Sequence, residues 1–162
     1  MSIYQNSTEC LDQFTSGAFL TVDNGKELNT MTVGWGSVGH IWDKPVIMVM
    51  VRYSHHTYHA IQTAQDFTVS VPVESTLRKE LSGTSSSSER DGDQLKMLGL
   101  THRPGKKTKS PVIASEGMHY ECKIRCWQEM NPDYTDKDLQ SQVYNDKDYH
   151  VLYGEIIEKY RD

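Results

Sequence analysis

Residues 29–72 read NTMTVGWGSVGHIWDKPVIMVMVRYSHHTYHAIQTAQDFTVSVP, and the order of patterns within them decides the fold class. At the centre, 46–51 is apolar at every position, VIMVMV. A run that short and that apolar predicts a strand covered on both faces and central in a sheet, not a helix. On its N-terminal side, 31–38 alternates side chains with glycines and predicts a second strand. On its C-terminal side, Ser54 and Thr57 precede 58–64, whose composition is helical, and either hydroxyl can cap that helix. Phe67, Val69, Val71 and Val73 then alternate with Thr68, Ser70 and Pro72. This is the period of a half-buried strand, and its proline marks an edge or an ending.

Working outward, 18–22 predicts a strand entering a tight hairpin at Asp23-Asn24-Gly25, because Asn-Gly supplies positive φ, with 31–38 as its partner. Residues 8–14 predict a short helix, and 120–127 and 149–159 predict two late strands. Helical pieces at 75–81 and 93–98 flank SGTSSSSERDG, a loop whose serines and glycines cannot pack a core. The polar stretch 131–147 predicts a surface excursion with a helical turn near 138–142. Strands separated by turns, without regular strand–helix alternation, predict a mainly β fold, a closed or split antiparallel β-barrel with short helices.

The chain of 162 residues is long enough to bury roughly two thirds of its unfolded surface and reads as a single domain, 1–162. Lys plus Arg number 17 against 22 for Asp plus Glu, so the net charge of -5 leaves no global footprint for nucleic acid. Arg103, Lys106, Lys107 and Lys109 form one basic run, read as a solvated loop around Pro104 and Gly105. There is no apolar run near the roughly 20 residues of a membrane span and no signal-peptide pattern, so a soluble cytoplasmic protein without membrane contact is expected. Cys10, Cys122 and Cys126 form no C-x-x-C pair and are expected as reduced, partly buried thiols. Strand geometry puts Cys122 and Cys126 on one face about 13 Å apart, too far to bridge.

Chemistry enters at the glycines. Alternation over 31–36 places Thr32, Gly34 and Gly36 on one face and Met31, Val33 and Trp35 on the other, so one side is nearly bare backbone. A flat ring can lie against such a side, although the same glycines also suit a bulge or a barrel corner. The turn that follows carries Arg52 and opens a helix, whose uncapped amides favour an anion such as phosphate. Ser and Thr at that position also serve as ordinary caps. His55 and His59 are spaced i, i+4, yet no further ligand completes a metal site, and none is expected. Nucleophile-elbow, P-loop and Rossmann signatures are absent, so an enzyme of this sequence would rely on a cofactor.

NTMTVGWG at 29–36, PVIMVMVR at 45–52, S-x-x-T at 54–57 and FTVSVP at 67–72 together resemble the flavin reductase-like family, which includes flavoredoxins. SGT at 82–84, LGLT at 98–101, PVIA at 111–114, YEC at 120–122 and YHVLYGEI at 149–156 extend the likeness. The resemblance implies a split antiparallel Greek-key barrel of the FMN-binding type, a homodimer and non-covalent FMN. It implies the ring along Asn29, Met31, Thr32, Val33, Gly34 and Trp35, and the phosphate near Val51, Arg52, Ser54, His55 and Thr57. Gly83, Thr84 and Ser88 would line the pocket, and His150 would lie on the nicotinamide side as a catalytic residue. Hydride would pass from NAD(P)H to the flavin and on to free flavin, a small acceptor or a redox partner protein.

Many relatives carry S-R-Y-T where this chain has Ser54-His55-His56-Thr57, so imidazole replaces a permanent cation and phosphate binding is expected to weaken as pH rises. Gln94 stands where a lysine is frequent. Two other readings are an FMN-binding electron carrier or flavin store, and a split-barrel protein that binds haem.

Overall fold

The computed structural model describes residues 2–52, 56–73, 99–143 and 149–162. In chain order the elements are α1 (Ser7–Phe14), β1 (Ala18–Asp23), β2 (Leu28–Val33), β3 (Gly36–Ile41), β4 (Lys44–Arg52) and α2 (His56–Ile61). There follow β5 (Asp66–Pro72), β6 (His102–Arg103), β7 (Val112–Ile113), β8 (Gly117–Glu129), a 3-10 turn (Pro132–Tyr134), α3 (Lys137–Val143) and β9 (Tyr149–Arg161). Seven strands form one antiparallel sheet in the order β2-β1-β5-β8-β9-β4-β3, and β6 and β7 pair separately. The expected helical pieces at 75–81 and 93–98 lie outside the described residues.

The two terminal strands, β2 and β3, are consecutive in the chain, with only Gly34 and Trp35 between them. A flat sheet of this order would hold its edges about 29 Å apart at about 4.8 Å per strand. Two linking residues reach only about 10 Å. The edges therefore meet at this corner, and the sheet curls into the mainly β, split antiparallel barrel predicted from the sequence. Its core is one cluster that includes Leu20, Val33, Ile47, Val49, Phe67, Val69, Tyr120 and Leu152.

Four expectations change in detail. The strand over 31–38 is two strands, because the chain turns the barrel corner at Gly34. The β1–β2 connection is a four-residue loop, 24–27, with positive φ at Gly25 alone. Asn24 organises it: its side-chain oxygen accepts the Lys26 and Glu27 amides, each at 2.9 Å. Strand β4 is next to the sheet's edge, and only Val46, Ile47, Val49 and Val51 are buried, while Met48 and Met50 are half-buried on the outer face. Strand β5, in contrast, is interior and covered on both sides, with Thr68 and Ser70 fully buried.

The cover over β5 is a second layer built by residues 99–116. Phe19, Leu100 and Ile113 form a small apolar cluster there. Thr68 donates its hydroxyl to the Pro111 carbonyl at 2.6 Å, and Ser70 accepts the Ile113 amide at 3.1 Å. On β8 the buried Glu121 carboxylate accepts the amides of Lys106, Lys107 and Thr108, and the hydroxyls of Thr108 and Tyr160 at 3.1 and 2.8 Å. Burial pushes its pKa up, but these donors outweigh burial and hold it below the usual carboxylate value. The lysines of the basic run form the solvated loop expected, with Lys106, Lys107 and Lys109 exposed and their backbone wrapping Glu121, but Arg103 does not: it lies half-buried on β6 and pairs with Asp162.

Cys10, Cys122 and Cys126 are free thiols. Burial pushes the Cys10 thiol up to about 11 and raises Cys122 as well, so both are protonated at neutral pH. The shared face expected for Cys122 and Cys126 is not kept. Register shifts at Glu121/Cys122 and Ile124/Cys126 break the alternation, leaving Cys122 in the core and Cys126 half-buried outside it.

Candidate functional site

The corner at Gly34–Trp35 faces an open groove on the outside of the barrel, floored by Met48, Met50 and Val151 and walled by Leu11 and Phe14 of α1. Adjacent strand residues point to opposite faces, so Met48, Met50 and Arg52 emerge on the groove side while Ile47, Val49 and Val51 enter the core. The Trp35 carbonyl accepts the Met50 amide at 3.1 Å, which fastens the corner to β4.

The two corner glycines differ. A β-carbon on Gly36 would stand 2.7 Å from the Phe14 ring and 2.9 Å from the Met48 carbonyl oxygen, so Phe14 of this chain already fills that bare side. A β-carbon on Gly34 would meet only the Phe14 carbonyl oxygen, at 3.8 Å, an ordinary contact. Nothing within the described chain requires glycine at 34. A side chain there would stand in the groove.

From Trp35 a line of three groups leads away from the groove. Trp35, 48% exposed, has its ring 5.2 Å from that of Tyr149. The Arg52 guanidinium lies 5.4 Å from the Tyr149 ring centre, and its Nε donates to the Tyr149 hydroxyl at 2.7 Å. A half-buried cation thus stands two contacts from Trp35, which lines the groove together with the bare Gly34.

Helix α2 packs against β1, β2 and β4 where the barrel is split. Thr57 is buried and donates its hydroxyl to the Asn29 side-chain oxygen. The Thr57 hydroxyl is therefore committed to Asn29 and not to a cap of α2. Beside it, His56 Nε2 lies 2.6 Å from a Glu27 carboxylate oxygen.

The structure brings together Asn29 with Thr57, and Gly34 and Trp35 with Arg52 by way of Tyr149. Thr32 is half-buried on β2, while Met31 and Val33 put their side chains into the core, leaving only backbone for a ligand. Val51 likewise faces the core. His150 pairs with Val51 and is 5% exposed, its ring 4.7 Å from Tyr58 and 5.6 Å from Trp127. Its neighbour Val151, not His150, lines the groove, because successive residues of β9 alternate between faces. Ser54, His55, Gly83, Thr84 and Ser88 lie outside the described residues.

Sequence reasoning missed Glu27 and Tyr149. Each reaches its partner only through strand register or helix packing, across 29 and 97 residues, and although Tyr149 opens the stretch YHVLYGEI, nothing local points it to Arg52. Among the described residues no three His, Cys, Asp or Glu side chains converge to hold a metal, and no helix is long and apolar enough to cross a membrane.

The family model described as flavin reductase like domain matches residues 12–158. No curated protein matches. Among solved structures, the flavoredoxin of Desulfovibrio vulgaris (Miyazaki F) aligns at 21% identity over 90% of this chain and 69% of its own, with a TM-score of 0.69. An NADH:FAD oxidoreductase of Streptomyces globisporus C-1027 aligns at 21% identity over 90% and 75%, with a TM-score of 0.70. A Shewanella frigidimarina NCIMB 400 structure described as a flavin reductase with split barrel domain aligns at 18% identity over 99% and 77%, TM-score 0.70.

Proposed function

Because the chain belongs to the flavin reductase-like family, we propose that it is an FMN-dependent oxidoreductase. In this reading reducing equivalents pass from NADH or NADPH through non-covalent FMN to free flavin, a small acceptor or a redox partner protein. The observation that carries it is the groove at the bare corner of Gly34 and Trp35, with the buried Tyr149 ring linking Trp35 to the Arg52 cation beside it. The cradle at Gly34 suits a flat ring because a β-carbon would intrude where the protein itself demands nothing.

Arg52 would hold the phosphate, with Tyr149 fixing the guanidinium through its Nε. Among the described residues the outer edge of β2 pairs with no further strand, so its backbone would offer hydrogen bonds to ring heteroatoms. Trp35 and Met50 would exclude water. A bound flavin supplies the two-electron chemistry, so no acid–base dyad is required of the polypeptide. His150 would act by packing, holding the pocket wall through Tyr58 and Trp127.

The same outer face supports a homodimer. Trp42 is 54% exposed with its ring 5.7 Å from Tyr153, which continues the apolar stripe of Met48, Met50 and Trp35. A second copy would cover it. Three free thiols support a cytoplasmic location.

The test is spectroscopic. Purified protein should show flavin absorption bands or bind added FMN, and anaerobic NADH or NADPH should bleach them. Binding without bleaching would make the protein an electron carrier or flavin store. Failure to bind FMN would end the proposal.

A further inference from the structure

We infer that Glu27 is a positioning residue of the flavin site, acting through His56 to set the distance between the β2 backbone and the Arg52 cation. The inference rests on the flavin reading above. Strands β2 and β4 do not pair with each other, so no ladder of hydrogen bonds fixes their separation at the split. What spans it is α2, which follows Arg52 and packs on both strands.

Three side-chain ties run from the β1–β2 hairpin to that helix and the turn that follows it. Asn24 donates its amide to the Thr63 hydroxyl at 3.0 Å, Glu27 meets His56 at 2.6 Å, and Asn29 accepts the Thr57 hydroxyl. Glu27 ends the loop that leads into β2 and Asn29 is the second residue of that strand, while His56 and Thr57 are consecutive in the first turn of α2. Glu27 is itself held, since its amide donates to Asn24 Oδ1 at 2.9 Å and its carbonyl accepts the Asn24 amide at 3.2 Å. The ties form a clasp between the two halves of the site.

A ligand that grips a ring subsite and an anion subsite at once gains affinity only if the two are held at its own length. FMN spans both subsites, whereas riboflavin, lacking the phosphate, uses one. Loosening the clasp should therefore cost FMN more than riboflavin. Electrostatics alone predicts the opposite sign, because removing a carboxylate near an anion site should tighten FMN.

Titration of the full chain with FMN and with riboflavin, by quenching of flavin fluorescence, separates these outcomes. Glu27→Ala should weaken FMN about tenfold with riboflavin changed less than twofold, and Glu27→Gln, which can still hydrogen-bond His56, should restore most of the loss. Thermal melting within a few degrees of wild type confirms that the variants fold. If wild type binds FMN and Glu27→Ala binds it equally or more tightly, or loses both ligands alike, the clasp is wrong and the flavin reading stands. If wild type binds neither ligand, the flavin reading fails and the clasp falls with it.

Discussion

Arg52 and Tyr149 face each other across β4 and β9, and the Tyr149 hydroxyl accepts from Arg52 Nε at 2.7 Å while its ring lies under the guanidinium. The pair ties the Arg52 cation to Trp35, which lines the groove. Tyr149→Phe keeps the ring and removes the acceptor. FMN affinity should fall about three- to tenfold, as for loss of one hydrogen bond to a charged group. Arg52→Ala should cost more, and fluorescence titration reads both.

The corner glycines should respond in opposite ways. Gly36→Ala drives a methyl group into the Phe14 ring and the Met48 carbonyl, and should destabilise the fold by about 1–3 kcal/mol in urea unfolding. Gly34→Leu meets no such barrier, so stability should hold while FMN binding drops. Reversal of the two effects would place the ligand elsewhere.

Glu121 joins the second layer to the sheet. Replacing it with leucine leaves the amides of Lys106, Lys107 and Thr108 without their acceptor, a loss of about 2–4 kcal/mol, measured by denaturant unfolding. Its folded pKa lies below the unfolded one, so its contribution is present above the unfolded carboxylate range and is lost as pH falls through the folded value. Glu121→Gln should flatten the acid limb of the stability curve.

His119 is buried beneath the same layer. Ser70 accepts the Ile113 amide and so turns its hydrogen to His119 Nδ1 at 3.1 Å, while Nε2 donates to the Ser115 carbonyl at 3.1 Å and lies 3.4 Å from Asp162. That is a satisfied neutral ring. Burial lowers its pKa to about 4, so the unfolded chain binds the extra proton between the ordinary value and about 4. Stability should decline by up to about 1.4 kcal/mol per pH unit across that window as pH falls. NMR should show the His119 ring unprotonated at pH 5.5; a ring titrating near 6.5 would contradict the burial argument.

A second copy covering the outer face predicts a dimer that a single charge disrupts. Met50→Asp, on the groove floor, should yield a monomer by light scattering with the barrel intact by circular dichroism. A wild-type monomer at working concentration would remove the homodimer from the proposal.

Period and composition were enough for most of the described strands, though not for the break of 31–38 at the barrel corner or for β6 and β7. The two-residue alternation of Phe67, Val69 and Val71, the unbroken apolar run at 46–51 and the turn at Asn24-Gly25 are local signals, because side-chain direction in a strand and positive φ in a turn are set within a few residues. The mainly β class and the bare corner at Gly34 were legible for the same reason. Tertiary structure alone decided which strands neighbour which, and hence that β4 sits beside an edge, that Thr68 and Ser70 anchor a covering layer, and that Phe14 occupies the space at Gly36. It also decided the partners of Arg52 and His56, which depend on register and on chain closure over tens of residues, and no local pattern encodes those.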